Sequence, residues 1–403
     1  MRRLFANRDA RVYLIAQSLS IAGDNALWLA MGIWVKMLTG SNAAAGLTFF
    51  AFIVGSLLAP VSGMVVDRVR RRSLLIWTNL AAAAGVCLLL VANENRLWLI
   101  YLVMFGYGAV GSMILAAQTA LLPAIVPDDL LGEANAVLQI AEQGLRIFTP
   151  LVGAGLLAWV GPEPVILLDA ATFLVAGLAM LVIRLREAKP VPSGEHWLAE
   201  FTAGMRFIGR TSALRRLLIA GVVTLLAFGI FQTVQYAVVD DGLNRPPAFL
   251  GVLEFSMGFG ALIGGVLAGP LMNRTSERAL VIGGLIAMAL ACCPMLLTGW
   301  LPVVLPAMAL LGAGILVVNV GAITLIQRST PSELLGRVDS AINLAVLIPQ
   351  AGSIAVGAAL VTFVDYRILL VIMGAVLVLS AVQMSGSFDR RSQPVPDPAG
   401  TAG

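Results

Sequence analysis

Charge is scarce in this sequence, and histidine scarcer. Of 403 residues, 12% are Asp, Glu, Lys or Arg, about half the usual share of a globular chain, and the sole histidine is His196. A soluble fold is excluded on that ground. With one histidine in a polar stretch, and no nucleophile–base or metal-ligand spacing elsewhere, an enzyme is not expected, nor any metal or cofactor. The three cysteines, Cys87, Cys292 and Cys293, lie inside apolar runs and read as packing residues without a disulfide framework. No phosphate-loop segment and no soluble domain able to hold one is present, so ATP drive is not expected. The net charge of +4 marks no basic nucleic-acid surface.

What the chain has instead is hydrocarbon. The composition is 59% hydrophobic and the mean hydropathy is +0.93. Apolar windows between polar or Gly/Pro-rich breaks predict twelve helices, near 13–37, 44–66, 73–92, 97–122, 134–160, 164–183, 217–239, 248–271, 279–299, 302–325, 338–362 and 365–384. Helices are required because an open strand cannot cross lipid with its backbone unpaired. The first run follows Arg2, Arg3, Arg8 and Arg11, but it is too long for a signal peptide and is expected to stay attached.

Arginine placement gives the orientation. Arg68, Arg70, Arg71 and Arg72 follow the second run, and most other basic residues fall on the same side once both termini are placed in the cytoplasm. The outer side then keeps only Lys36, Arg96, Arg245 and Arg367. The expected layout is a cytoplasmic N-terminus (1–12), a six-helix bundle (13–183), a cytoplasmic linker (184–216), a second bundle (217–384) and a disordered tail (385–403), multi-pass in the cell inner membrane. Within the linker, Trp197, Phe201, Met205 and Ile208 share one helical face, the pattern of a helix lying on the membrane surface as well as of a plain tether.

The chain repeats itself. Gly63-Met-Val-Val-Asp67-Arg68 with Arg71 and Arg72 has a worn copy in Gly269-Pro-Leu-Met-Asn273-Arg274 with Arg278. Pro127-Asp-Asp-Leu-Leu-Gly recurs as Pro331-Ser-Glu-Leu-Leu-Gly. Two pairs at nearly equal offset predict two pseudo-symmetric halves that meet at a midplane site.

The first of these motifs resembles the hallmark loop of the major facilitator superfamily, and Leu122-Pro-Ala-Ile-Val-Pro with Asn135 is similar to its drug-exporter branch, which includes macrolide and siderophore exporters. The likeness covers about residues 10 to 385. It implies an all-α membrane protein of two six-helix bundles, with Gly63, Asp67, Arg68, Arg71 and Arg72 gating the cytoplasmic side. Arg70 stands where the family usually has Gly, and Asn273 replaces the acid in the second copy. Thr149-Pro150-Leu-Val-Gly153 resembles the antiporter motif, making Pro150 a further gating candidate. Gly23-Asp24-Asn25-Ala26-Leu27 also resembles the first helix of lysophospholipid transporters of the same superfamily.

Charges inside hydrocarbon cost of order 3 kcal/mol and are functional candidates by default. Asp24, Glu142 and Glu254 are the candidates for proton coupling. Glu142 precedes Arg146 by one turn, the favourable order for an ion pair, and by the family analogy Glu254 faces Arg146 from the other half. Asp169 and Lys36 read as near enough to span ends to reach water. Asn25, Gln118, Gln139, Gln143, Arg146, Gln232, Gln235, Tyr236, Asn319 and Asn343 are candidate substrate contacts, each with the alternative of a helix–helix hydrogen bond. The expected function is a monomeric, proton-coupled exporter of small amphipathic molecules working by alternating access. A lipid or lysophospholipid transporter and a non-transporting membrane scaffold remain as alternatives.

Overall fold

The computed structural model describes residues 2–66, 68–183, 197–297, 300–331 and 334–386. Asp67, the first part of the linker with His196, and the tail expected to be disordered from 387 onward lie outside the described residues. All regular structure within them is helical. We number the long helices as spans one to twelve: Arg8–Thr39, Asn42–Val66, Arg71–Val91, Glu94–Ile125, Leu131–Val160, Pro162–Val182, Ser212–Gly242, Pro247–Arg274, Glu277–Leu296, Leu301–Ser329, Leu335–Leu360 and Tyr366–Ser385.

Among the described residues, eleven of these are both long and apolar enough to cross a bilayer. Span one matches them in length at 32 residues, but Gln17, Asp24 and Asn25 lower its hydropathy. Its ends follow from local chemistry. Asn7 Oδ1 accepts from the amides of Asp9 and Ala10 at 3.0 and 3.2 Å, and Gly40 stops the helix at φ 66°, a left-handed conformation natural to glycine. Span two breaks at Leu57–Leu58, just before Pro60, into Asn42–Ser56 and Ala59–Val66. Proline in the first turn of the second piece supplies no amide to bridge the break.

The two halves pack alike. Span one lies against five and six, three against four and six, and two against four; span seven lies against eleven and twelve, nine against ten and twelve, and eight against ten. Close backbone approaches recur with the same offset of about 205 residues. A Cβ at Gly55 would strike the carbonyl of Phe105, and one at Gly108 that of Phe52; their counterparts Gly260 and Gly312 face the carbonyls of Ala309 and Met257. Gly153 meets Ala26 as Gly357 meets Ile230. The arginine motifs obey the same relation. Arg72 Nε and Nη2 donate to the carbonyls of Met180 and Leu181 at 2.8 and 2.9 Å, and Arg278 donates to those of Met384 and Gly386. Each arginine thus satisfies carbonyls left over at the C-terminal end of the sixth helix of its half, where the macrodipole favours positive charge.

The linker helix Trp197–Arg210 packs on spans seven and eleven, with Ile208 buried and Gly204 against the Arg337 carbonyl and Ala341. Part of the face read as membrane-binding therefore packs on protein, and the helix is carried by the second half. Span seven begins at Ser212, earlier than the apolar window indicated, because Arg215 and Arg216 occupy its first turn.

Packing of this kind predicts a contrast. Gly312→Leu should destabilise the fold by about 2 kcal/mol or more through overpacking, whereas Gly85→Ala, where a Cβ meets nothing within 4 Å, should leave the melting temperature in detergent unchanged. Equal melting of the two variants would contradict the packing.

Candidate functional site: a buried carboxylate pair and one sealed end

Inside the first half, three polar side chains converge where spans one, four and six meet. Tyr107 Oη donates to Asp24 Oδ1 at 2.5 Å and lies 3.2 and 3.3 Å from Asp169 Oδ2 and Oδ1. Gly23 permits the approach, since a Cβ there would strike Asp169 and Thr172 Oγ1. The rings of Phe52 and Phe173 flank Tyr107 at 6.2 and 5.7 Å. Asp169 is 0% exposed, which corrects the expectation that it reaches water. Span six starts at Pro162, so Asp169 sits two turns inside the helix and not at its end. Neither Tyr107 nor Asp169 was a candidate from sequence.

A phenol has one proton to give. When it is donated to Asp24, the short contact to Asp169 is a hydrogen bond only if Asp169 brings a proton of its own. The constellation therefore holds either one mobile proton or two, and its net charge changes between those states.

The second feature is a seal at the end of the bundle opposite the arginine-rich loops. Lys36 Nζ donates to Asp240 Oδ2 at 2.6 Å and to the carbonyl of Gly40 at 2.8 Å. Lys36 is 6% exposed, so it too does not reach water as expected; Asp240, on the last turn of span seven, is 49% exposed. Below the pair, Phe49 stacks near Tyr236 at 6.2 Å, Gly32 admits the Tyr236 hydroxyl, and Gly46 admits Thr233. Gly251 and Gly258 let span eight approach Ala154 and Ile147 of span five. Span two reaches spans seven and eleven through Asn42–Ser56, while its inner piece Ala59–Val66 packs on span four. At the arginine-rich end, Arg3 pairs with Asp129 at 3.0 Å, Arg328 with Glu277, and Arg71 Nη1 donates to the Ala120 carbonyl at 3.2 Å, each within a half. The main contacts between the halves run from span two to spans seven and eleven and from span five to span eight.

The other candidates are spread over both halves. Gln139, Glu142, Gln143 and Arg146 share one face of span five and are exposed, as are Asn319 and Asn343. Polar groups exposed on helices of membrane length belong beside water and not beside lipid. The expected Glu142–Arg146 ion pair does not form among the described residues. Arg146 and Glu254 stand on spans five and eight, which pack on each other across the interface, and Gln235 and Tyr236 lie on span seven. Glu254, Gln232, Gln235 and Tyr236 are buried, and Gln235 Oε1 and the Tyr236 hydroxyl have no hydrogen-bond partner. Asn25 Nδ2 donates to the Ile21 carbonyl at 2.8 Å and Asn343 Nδ2 to Asp339 at 3.2 Å, so both amides are engaged within their own helices. Gln118 Nε2 donates to Gln17 Oε1 at 2.5 Å inside the first half. Pro150 is buried at the contact of spans five and eight, Arg68 is exposed, and a Cβ on Gly63 would meet nothing.

The profile of the Major Facilitator Superfamily matches residues 13–353. The chain belongs to that superfamily. It is 26% identical to the uncharacterised transporter YvqJ of Bacillus subtilis, with 90% of this chain and 89% of that one covered. It is 24% identical to macrolide efflux protein A of Enterococcus faecalis (75% and 95% covered) and 26% identical to the enterobactin exporter EntS of Escherichia coli (82% and 79% covered). Among solved structures, a bacterial homologue of the iron transporter ferroportin matches in its inward-facing state with a TM-score of 0.73 at 16% identity, covering 94% of this chain and 98% of that one. The outward-facing state of the homologue matches at 0.63 with 17% identity and the same coverage. The superfamily consists of transporters and not enzymes.

The sealed end yields a test. Lys36→Ala should loosen it by of order 1 kcal/mol, a several-fold rise in the open form, because half the pair already touches water. In a background lacking Cys87, Cys292 and Cys293, a cysteine at the buried position Thr233 should then react faster with maleimide. An unchanged rate would contradict a latch at this pair.

Proposed function

We propose that this transporter is a proton-coupled exporter of small amphipathic molecules, and that the structure corresponds to its cytoplasm-facing state. The orientation rests on the arginine bias, which assigns the end opposite the Lys36–Asp240 seal to the cytoplasm. The higher similarity to the inward-facing ferroportin homologue agrees with it. Export is supported by the names of the macrolide and enterobactin relatives.

The observation that carries proton coupling is the pair Asp24 and Asp169 on one tyrosine hydroxyl. Two carboxylates this close, removed from water, do not both stay ionised. The pair therefore takes up a proton and later gives it back as its exposure alternates, and Tyr107 relays between the two acids. Glu254, buried on span eight where it packs on span five of the other half, is the second acid placed to sense that half's position. Glu142, open to the cytoplasmic mouth beside Gln139 and Gln143, serves entry of the substrate.

Reconstituted vesicles with an imposed pH gradient test this. A macrolide, a catecholate siderophore and a lysophospholipid are offered in turn. Gradient-driven accumulation should fall at least about tenfold in Asp24→Asn and in Asp169→Asn, while exchange of labelled for unlabelled substrate without a gradient persists. Full gradient response in both variants would contradict the assignment.

A further inference from the structure

A second polar cluster lies in the first half, on the arginine-rich side of the carboxylates. Tyr13, Gln17, Asn79 and Gln118, with Leu75, Ala176 and Met180, line a cavity of about 10 Å³ contributed by spans one, three, four and six. That is room for a single water molecule. Three amides and a phenol stand among its otherwise apolar walls. Gln118 donates to Gln17 at 2.5 Å, and Asn79, 3% exposed, gives its Nδ2 proton to the Leu75 carbonyl at 2.7 Å. The Oδ1 atom of Asn79 is buried and has no hydrogen-bond partner. A buried acceptor with nothing to accept costs about 1–3 kcal/mol, so its retention beside a water-sized space needs a reason.

The position of the cavity supplies one. On span one, Gln17, Ser20 and Asp24 are spaced three and four apart, on one helical face. On span six, Asp169 and Thr172 continue to Ala176 and Met180 of the cavity wall. The two stripes touch where Gly23 meets Thr172 and Asp169. From Gln17 to Asp24 the helix rises about 10 Å, and buried Ser20 and Thr172 stand in that interval. The titratable groups that face one another along this line are Tyr13 and Asp24 of span one, Tyr107 of span four and Asp169 of span six; span three contributes the neutral Asn79.

We infer that Asn79, Gln17 and Gln118 hold a water that carries protons between the cytoplasm and the Asp24–Tyr107–Asp169 site through the interior of the first half, apart from the opening between the halves. Proton and substrate then use different routes, and the amides are positioning residues for the proton. The inference rests on the reading of Asp24 and Asp169 as the proton site. Between the water and the carboxylates stand the hydroxyls of Ser20 and Thr172, the latter donating to the Asp169 carbonyl at 2.8 Å, and the water accepts one proton as it gives up another, then turns over to its starting state. No charge is left in the cavity.

The test uses the full chain in lipid nanodiscs and needs no substrate. The infrared band of protonated carboxyl groups is assigned to the pair by its loss in Asp24→Asn and Asp169→Asn. Its shift rate is then followed after a switch to heavy water. Asn79→Leu and, independently, Gln118→Leu should slow the shift by about tenfold, Asn79→Ser should restore it, and Gln143→Leu, on the central opening, should not change it. Melting temperatures close to the parent identify the variants that fold. Unslowed exchange in both leucine variants, or slowing in Gln143→Leu alone, would overturn the internal route while leaving the proton site intact. A carboxyl band indifferent to Asp24→Asn and Asp169→Asn would remove the proton site itself, and the route with it.

Discussion

A charged side chain inside a bilayer must meet either an opposite partner, a hydrogen-bond donor or water, and the layout of this transporter follows from how each one does so. Asp24 and Asp169 meet a phenol, Lys36 meets Asp240, and Glu254 stands on span eight against the span of Arg146. Glu142 and Arg146 are exposed. The first group lies within one half and moves with it. The second and third cross between halves. In the proposed cycle some charges are satisfied in every state, and others only in one.

Duplication supplies the mechanical frame. Reciprocal glycine contacts bind span two to four and span eight to ten, and the same arginine cap closes the sixth helix of each half. Between halves the main contacts are those of span two with spans seven and eleven and of span five with span eight, and the linker helix packs on the second half. In the proposed cycle the two bundles rock against each other about these contacts.

Much of this was legible in the residues. The periodic apolar runs, the arginine bias and the two repeated motifs lead directly to an all-α membrane bundle with internal symmetry. The site was less so, for identifiable reasons. Asp169 looked like a span-end acid because the apolar window began near it; the proline at 162, a helix start, was the signal that it lies two turns deeper. Tyr107 carries no mark in sequence, since a tyrosine between two glycines in an apolar helix is usually packing. The Glu142–Arg146 pair followed from spacing alone, but an exposed pair in water gains little; the approach of Glu254 to the span of Arg146 was expected only through the family resemblance. Arg72 was read through the gating role of the family motif and Arg278 only as part of its worn copy; the structure has both holding helix ends.

The central claim is that the two halves rock about the sealed outer end. It is tested most directly by paired spin-label distances in a cysteine-free background, one pair at the inner end on Arg70→Cys and Thr275→Cys, the other at the outer end on Asn95→Cys and Arg245→Cys. Between alkaline and acidic buffer the inner distance should shorten as the outer one lengthens. Distances that change in the same sense at both ends, or at neither, would contradict it.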